Sequence, residues 1–153
     1  MINLLIREGR PAEILLVEDN RGDAILAGRA FKEARIANNL TVADTGEAAL
    51  AILRGEGEAV GCRLPDIILL DLNLPRMNGH EVLKTIKSDD ALKHIPVIIL
   101  SSSNAGQDVT ASYAQYASGY IMKPVDLEKF RDVVAAIEQF FFVLSIIPAT
   151  EVS

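Results

Sequence analysis

The chain has 153 residues, half of them apolar and 24% charged, with a formal net charge of −6. That length and composition suit one folded domain with its own core, and the scattered lysines and arginines exclude a nucleic-acid footprint. No apolar run approaches the roughly 18 residues that span a bilayer, Met1–Ile6 is too short for a signal segment, and a single cysteine excludes a disulfide framework.

The chain therefore reads as cytoplasmic, with no membrane partner. Ala12–Val17 is a buried-strand run, followed by polar Glu18-Asp19-Asn20 and a helical pattern through Leu26, Ala27, Ala30, Phe31 and Ala34. Leu40–Ala43 is a short strand, and Asp44-Thr45 can cap a helix over Gly46–Arg54. Gly55–Leu64, with three glycines and Cys62, reads as a loop carrying an unremarkable thiol. Pro65 introduces the strand Asp66–Asp71, and Asn78-Gly79 opens a helix with Val82, Leu83 and Ile86 on one face. Pro96 starts the strand Val97–Leu100, closed by Ser101-Ser102-Ser103. A weak helix over Gln107–Tyr116 puts Val109, Tyr113 and Tyr116 on one side. Gly119–Met122 is the fifth strand, and Asp126 can cap a long last helix. Strands alternating with helices predict a doubly wound, five-stranded parallel α/β sheet with helices on both faces, a three-layer α/β/α arrangement. Residues 1–153 form one domain, with a core at about 12–137 and an extension over 138–153.

In such a fold the strand ends gather at one edge, where ligands bind. Asp71 closes the most apolar run of the chain, Ile67-Ile68-Leu69-Leu70. Glu18-Asp19 follows the first strand, Ser101 ends the fourth, and Lys123 follows the fifth. Carboxylates converging there repel unless a cation neutralises them, and oxygen donors are what Mg²⁺ prefers. A carboxylate, a hydroxyl and an ammonium suit phosphoryl transfer, with Asp71 as nucleophile, Ser101 as donor and Lys123 as counter-charge. No Gly-rich phosphate loop is present, which argues against nucleoside triphosphate binding.

Taken singly, each element has a plainer explanation: a helix cap for Glu18-Asp19, a turn former for Asp71, an ordinary loop for Ser101, a solvated turn for Lys123-Pro124, and core for Tyr120. His80 reads as a surface residue and His94 as part of a charged loop. Together the motifs are specific. Val17-Glu18-Asp19-Asn20, Asp71-Leu72-Asn73-Leu74-Pro75-Arg76-Met77-Asn78-Gly79, Ser101 and Gly119-Tyr120-Ile121-Met122-Lys123-Pro124 resemble the receiver domain of two-component response regulators. The resemblance runs from about Ala12 to Ile137, and it implies the flavodoxin-like form of the α/β sheet. It implies that Asp71 accepts a phosphoryl group from a sensor histidine kinase. It further implies that Asp19 and Asp71 bind Mg²⁺ (or Mn²⁺) directly, Asn73 through its backbone carbonyl and Glu18 through water. Ser101 and Tyr120 would be the switch pair, and Lys123 the partner of the phosphoryl oxygens. Glu18 stands where Asp is commoner in that family, and Ser101 where Thr is commoner.

Beyond the stripe Leu127, Phe130, Val134, Ile137 and Phe141, the last helix becomes apolar on all sides through Phe140-Phe141-Phe142-Val143-Leu144. Phe140, Phe141, Phe142 and Leu144 are expected to form a homodimer interface. The acidic start, the long loop before the third strand and this aromatic tail resemble the single-domain regulators of phytochrome kinases. The expected function is a stand-alone phospho-accepting switch, not an enzyme. It would signal by protein contact or phosphorelay through the face formed by the fourth helix, fifth strand and fifth helix. Two rivals stay open: an aspartate-nucleophile phosphatase, although Asn73 stands where that chemistry wants a second acid, and a phosphorylation-independent dimerisation adaptor.

Overall fold

The computed structural model describes residues 11–57, 61, 63–102 and 106–151, with side chains through residue 139. Among them five strands and five helices alternate: β1 (Ala12–Val17), α1 (Arg21–Lys32), β2 (Asn38–Ala43), α2 (Gly46–Leu53), β3 (Ile67–Leu70), α3 (Gly79–Ser88), β4 (Val97–Ser101), α4 (Gly106–Ala114), β5 (Gly119–Met122) and α5 (Leu127–Glu151). The strands form one sheet in the order β2-β1-β3-β4-β5. Where β1 pairs with β3, β3 with β4 and β4 with β5, the strands run parallel, as the alternation predicts. This is the flavodoxin-like order, with its reversal between β1 and β3, and it directs attention to the carboxyl ends of those two strands.

Two compact units are distinguishable. The larger is Glu13–Ala24 with Leu40–Lys123, and it contains nearly all of the sheet. Its core joins Leu15 and Val17 of β1, Ile68 and Leu70 of β3, and Val97 and Ile99 of β4 to Ala49, Leu50, Leu53, Val82, Leu83 and Ile86 of α2 and α3. All four residues of β3 and all five of β4 are buried, which explains their unbroken apolar runs. In the smaller unit, Phe31, Ile36, Phe130, Val134 and Ile137 are buried. There Glu138 accepts the Arg35 and Ile36 backbone N–H groups at 2.7 and 3.0 Å, and Arg131 pairs with Glu33 at 2.7 Å.

Helix starts follow the capping chemistry legible in the chain. Thr45 Oγ1 accepts from the Ala48 N–H at 3.0 Å, and Asp126 accepts from the Lys129 N–H at 2.9 Å. Asn78 and Glu81 form a reciprocal capping box at the start of α3. The cap before α1 is Asn20, whose side chain accepts from the Asp23 N–H at 2.9 Å. Capping therefore leaves Glu18 and Asp19 to other work.

Helix α4 departs from its expected pattern. It ends at Ala114, its fully buried residue is Ser112, and Tyr113 and Tyr116 are exposed. Tyr116 has a positive φ of 69°. Its N–H donates to Tyr113 O, and the Ala117 N–H donates to Ser112 O. This is a Schellman ending with tyrosine in the left-handed position that glycine usually fills. The 3.6-residue period puts Val109, Tyr113 and Tyr116 on one side of a helix reaching Tyr116, but the helix stops at Ala114 and leaves both tyrosines exposed.

Candidate functional site

The ends of β1, β3 and β4 and the start of the loop after β5 all lie in the larger unit, and they bring the expected residues together. The register Leu70↔Ile99 sets Asp71, the residue after β3, beside the end of β4. Ser101 pairs with Met122, and the Lys123 N–H donates to Ser101 O at 2.8 Å, which carries the Lys123 side chain into the same place. Glu18, Asp71 and Ser101 are buried polar residues at these strand ends, whereas Asp19 is exposed.

Lys123 is the hub. Its ammonium donates to Asp71 Oδ2 at 2.8 Å and to Glu18 at 2.9 and 3.0 Å, and it pairs with Asp23 Oδ2 at 3.1 Å. Its side chain is only 14% exposed, so the solvated-turn explanation of Lys123-Pro124 does not hold. Burial alone would lower the Lys123 pKa, but hydrogen bonds to Asp71, Glu18 and Asp23 outweigh it and raise the value. Glu18 is pushed up to about 7. Burial is the main cause and the Asp71 charge adds to it, against the hydrogen bonds from Lys123 and the Asn20 N–H. Asp71 Oδ1 accepts the Asn73 N–H at 2.9 Å, an Asx turn, so the turn-forming reading of Asp71 is met as well. The Asn73 amide reaches Ser102 Oγ at 3.4 Å.

Glu18, Asp19 and Asp71 each offer a carboxylate oxygen, all within 4.8 Å of one another. An all-oxygen, acidic donor set of this kind fits a hard divalent cation. Three carboxylates, those of Glu18, Asp23 and Asp71, surround a single ammonium, and Asp19 lies beside two of them, so the pocket carries excess negative charge for a cation to balance.

Two further features escaped the sequence reading. Gly79 lies against the Asp71–Leu72 backbone: a Cβ there would overlap the Asp71 carbonyl oxygen and sit 2.5 Å from Leu72 Cα. Asp23 looks like any first-turn acid favoured by a helix dipole, and only the fold brings it to Lys123. His80, read as a surface residue, keeps part of its ring exposed and also gains partners, with Nε2 3.3 Å from Asp108 Oδ1 and Nδ1 3.3 Å from Gln115 Oε1. The packing of α3 beside α4 creates those contacts, and the two helices are separate in sequence. Tyr120, paired with Ile99 in the sheet, is partly buried and packs against the core. The side chains of Phe140, Phe141, Phe142 and Leu144 lie outside the described residues, although the α5 backbone passes through them.

A buried carboxylate at the switch point of a doubly wound sheet, flanked by acids and a largely buried lysine, is the arrangement of a receiver-type α/β protein. Comparison with known proteins is specific: residues 14–135 match the response regulator receiver domain, and the chain belongs to that family. It is 40% identical over 139 residues to response regulator Rcp1 of Synechocystis sp., covering 91% of this chain and 95% of the relative. It is 38% identical over 131 residues to a probable methanogenesis regulatory protein, FilR2, of Methanothrix harundinacea, covering 86% and 84%. Among solved structures, the phosphorylated cyanobacterial phytochrome response regulator RcpA superposes with a TM-score of 0.80 at 41% identity, covering 86% of this chain and 94% of that one. The Mn²⁺-bound form of Rcp1 gives 0.78 at 41% identity, covering 85% and 94%. Among the described residues, no helix is long and apolar enough to cross a membrane.

Proposed function

We propose that this chain is a phospho-accepting switch in two-component signalling, with Asp71 as the acceptor and a sensor histidine kinase as the donor. The observation that carries the reading is the 2.8 Å contact from the Lys123 ammonium to Asp71 Oδ2, at a buried strand end beside Glu18 and Asp19. A carboxylate oxygen of Asp71 attacks phosphorus of the kinase phosphohistidine. The P–N bond breaks, the imidazole leaves and takes up a proton, and an acyl phosphate forms on Asp71. Lys123 follows the charge from the carboxylate to a phosphoryl oxygen, and Ser101 supplies a hydroxyl donor at the end of β4. Asp19, Asp71 and the Asn73 backbone carbonyl would hold Mg²⁺ (or Mn²⁺), with Glu18 acting through water. That ion, when bound, supplies charge neutralisation for the transferring phosphoryl group. The chain promotes only its own phosphorylation and dephosphorylation.

The switch follows from a differential interaction: Ser101 and Tyr120 adopt the arrangement that the phosphoryl group binds better, and the face around α4 and β5 changes with them. The cyanobacterial phytochrome regulator among the similar structures supports a phytochrome-type kinase as the upstream partner. A homodimer through Phe140, Phe141, Phe142 and Leu144 rests on the apolar sequence of the tail. Light scattering that finds a micromolar monomer, unchanged on cutting at Phe140, removes that part of the proposal.

Incubation with acetyl phosphate and Mg²⁺ tests the core of it. Stoichiometric labelling of the wild type and none of Asp71→Asn is expected. Equal labelling of the variant overturns Asp71 as acceptor, and steady turnover of a generic phosphate ester favours the phosphatase alternative.

A further inference from the structure

The Lys123 ammonium has three N–H groups, and three different carboxylates surround it. Asp71 Oδ2 lies at 2.8 Å, Glu18 Oε1 at 2.9 Å and Asp23 Oδ2 at 3.1 Å. Asp71 has no unengaged oxygen in this state, since Oδ1 accepts the Asn73 N–H and Oδ2 the ammonium. For Oδ2 to bond to phosphorus, the ammonium must release it and turn one N–H to a phosphoryl oxygen. Where that N–H points depends on what holds the other two. Glu18 is one anchor, on β1's end. Asp23 is the other, set in the first turn of α1 by the Asn20 cap.

From this geometry we propose that Asp23 is a positioning residue for phosphoryl transfer to Asp71: with Glu18 it grips the Lys123 ammonium from two sides. The third N–H then meets the incoming phosphoryl group as Asp71 becomes an acyl phosphate. The inference rests on Asp71 being the acceptor. Lys123 held by Glu18 alone pivots about that contact and loses the alignment.

The test compares wild type, Asp23→Ala and Asp23→Asn in acetyl phosphate labelling at saturating Mg²⁺, with Mg²⁺ binding measured by calorimetry on the same samples. Misdirecting one transition-state donor lowers the Asp23→Ala rate by about 10-fold. Asp23→Asn recovers most of that loss, because its amide oxygen still accepts an ammonium N–H. The Mg²⁺ midpoint moves less than about 3-fold in both variants, because the grip is on the lysine and not on the ion. A separate readout needs no turnover: in metal-free protein, the exchange-protected Lys123 ammonium signal in nitrogen-15 NMR persists in Asp23→Asn and is lost in Asp23→Ala. Asp23→Ala labelling at or above the wild-type rate overturns the inference, as does a loss wholly accounted for by weaker Mg²⁺ binding. Asn as slow as Ala also overturns it. With the wild type labelled on Asp71, each of these results counts against Asp23 alone; an unlabelled wild type overturns the acceptor assignment and the inference with it.

Discussion

Gly79 has no room for a side chain because the Asp71 carbonyl fills the space a Cβ would need. The first residue of α3 thus sets the backbone position of the acceptor candidate, and any bulk there pushes on Asp71. Gly79→Ala is expected to destabilise the protein by about 2–3 kcal/mol through overpacking and to slow labelling at Asp71. Gly28, inside α1, has nothing within 4 Å of its Cβ position. Gly28→Ala is expected to stabilise by about 0.5–1 kcal/mol through helix propensity. Urea unfolding of the two variants should therefore move in opposite directions.

Removing the hub amine should cost more than removing any single partner. Lys123→Met leaves Glu18 and Asp71 buried without their counter-charge, a loss of about 3–5 kcal/mol near pH 8. The loss should shrink near pH 5, where a protonated Glu18 needs no ammonium. Denaturant midpoints at the two pH values, in EDTA, check both the size and the trend.

Glu18 gives the metal-free protein a pH signature. Its folded pKa, about 7, lies above the ordinary 4.5, so the folded state holds this proton more tightly than the unfolded chain does. Its contribution to stability is full below about 4.5 and is lost as the pH rises through 7. In EDTA, Glu18→Gln should gain in melting temperature relative to wild type between pH 5 and pH 8. Mg²⁺ should raise the wild-type melting temperature more at pH 8 than at pH 5, because an ion near an ionised Glu18 offsets the burial. Parallel melting curves for the two proteins across that range would contradict the assignment.

Tyr116 sits with φ 69° at the end of α4 and is 77% exposed, so it bears left-handed strain with little packing in return. Tyr116→Gly should stabilise the protein by about 1 kcal/mol. If the variant is instead less stable, the tyrosine ring makes a contact that outweighs the strain. Its effect on labelling at Asp71 should be small.

Much of this was legible in one dimension because the relevant physics is local. Unbroken apolar runs mark β3 and β4 as strands buried on both faces, and a polar residue after each run marks a strand end. Thr45, Asn78 and Asp126 cap helices through bonds that span only three residues. Even the order of Asp71, Ser101 and Lys123 carried information, since parallel strands return every chain segment to the same edge of the sheet. Weakly patterned α4 was the exception. Its period carried the helix to Tyr116, and the Schellman turn ended it early, at Ala114.

The amino-acid order by itself therefore determined the strand–helix alternation, the family, and which polar residues reach the functional edge. Tertiary structure alone decided how they are partnered. Lys123 lies 100 residues from Asp23 and 105 from Glu18, and no periodicity links positions so far apart. Only the closing of the sheet sets three carboxylates around one ammonium, takes Glu18 out of water and presses Gly79 onto Asp71. Local pattern reports which face a residue occupies; the charge it meets there depends on strands that arrive from elsewhere in the chain.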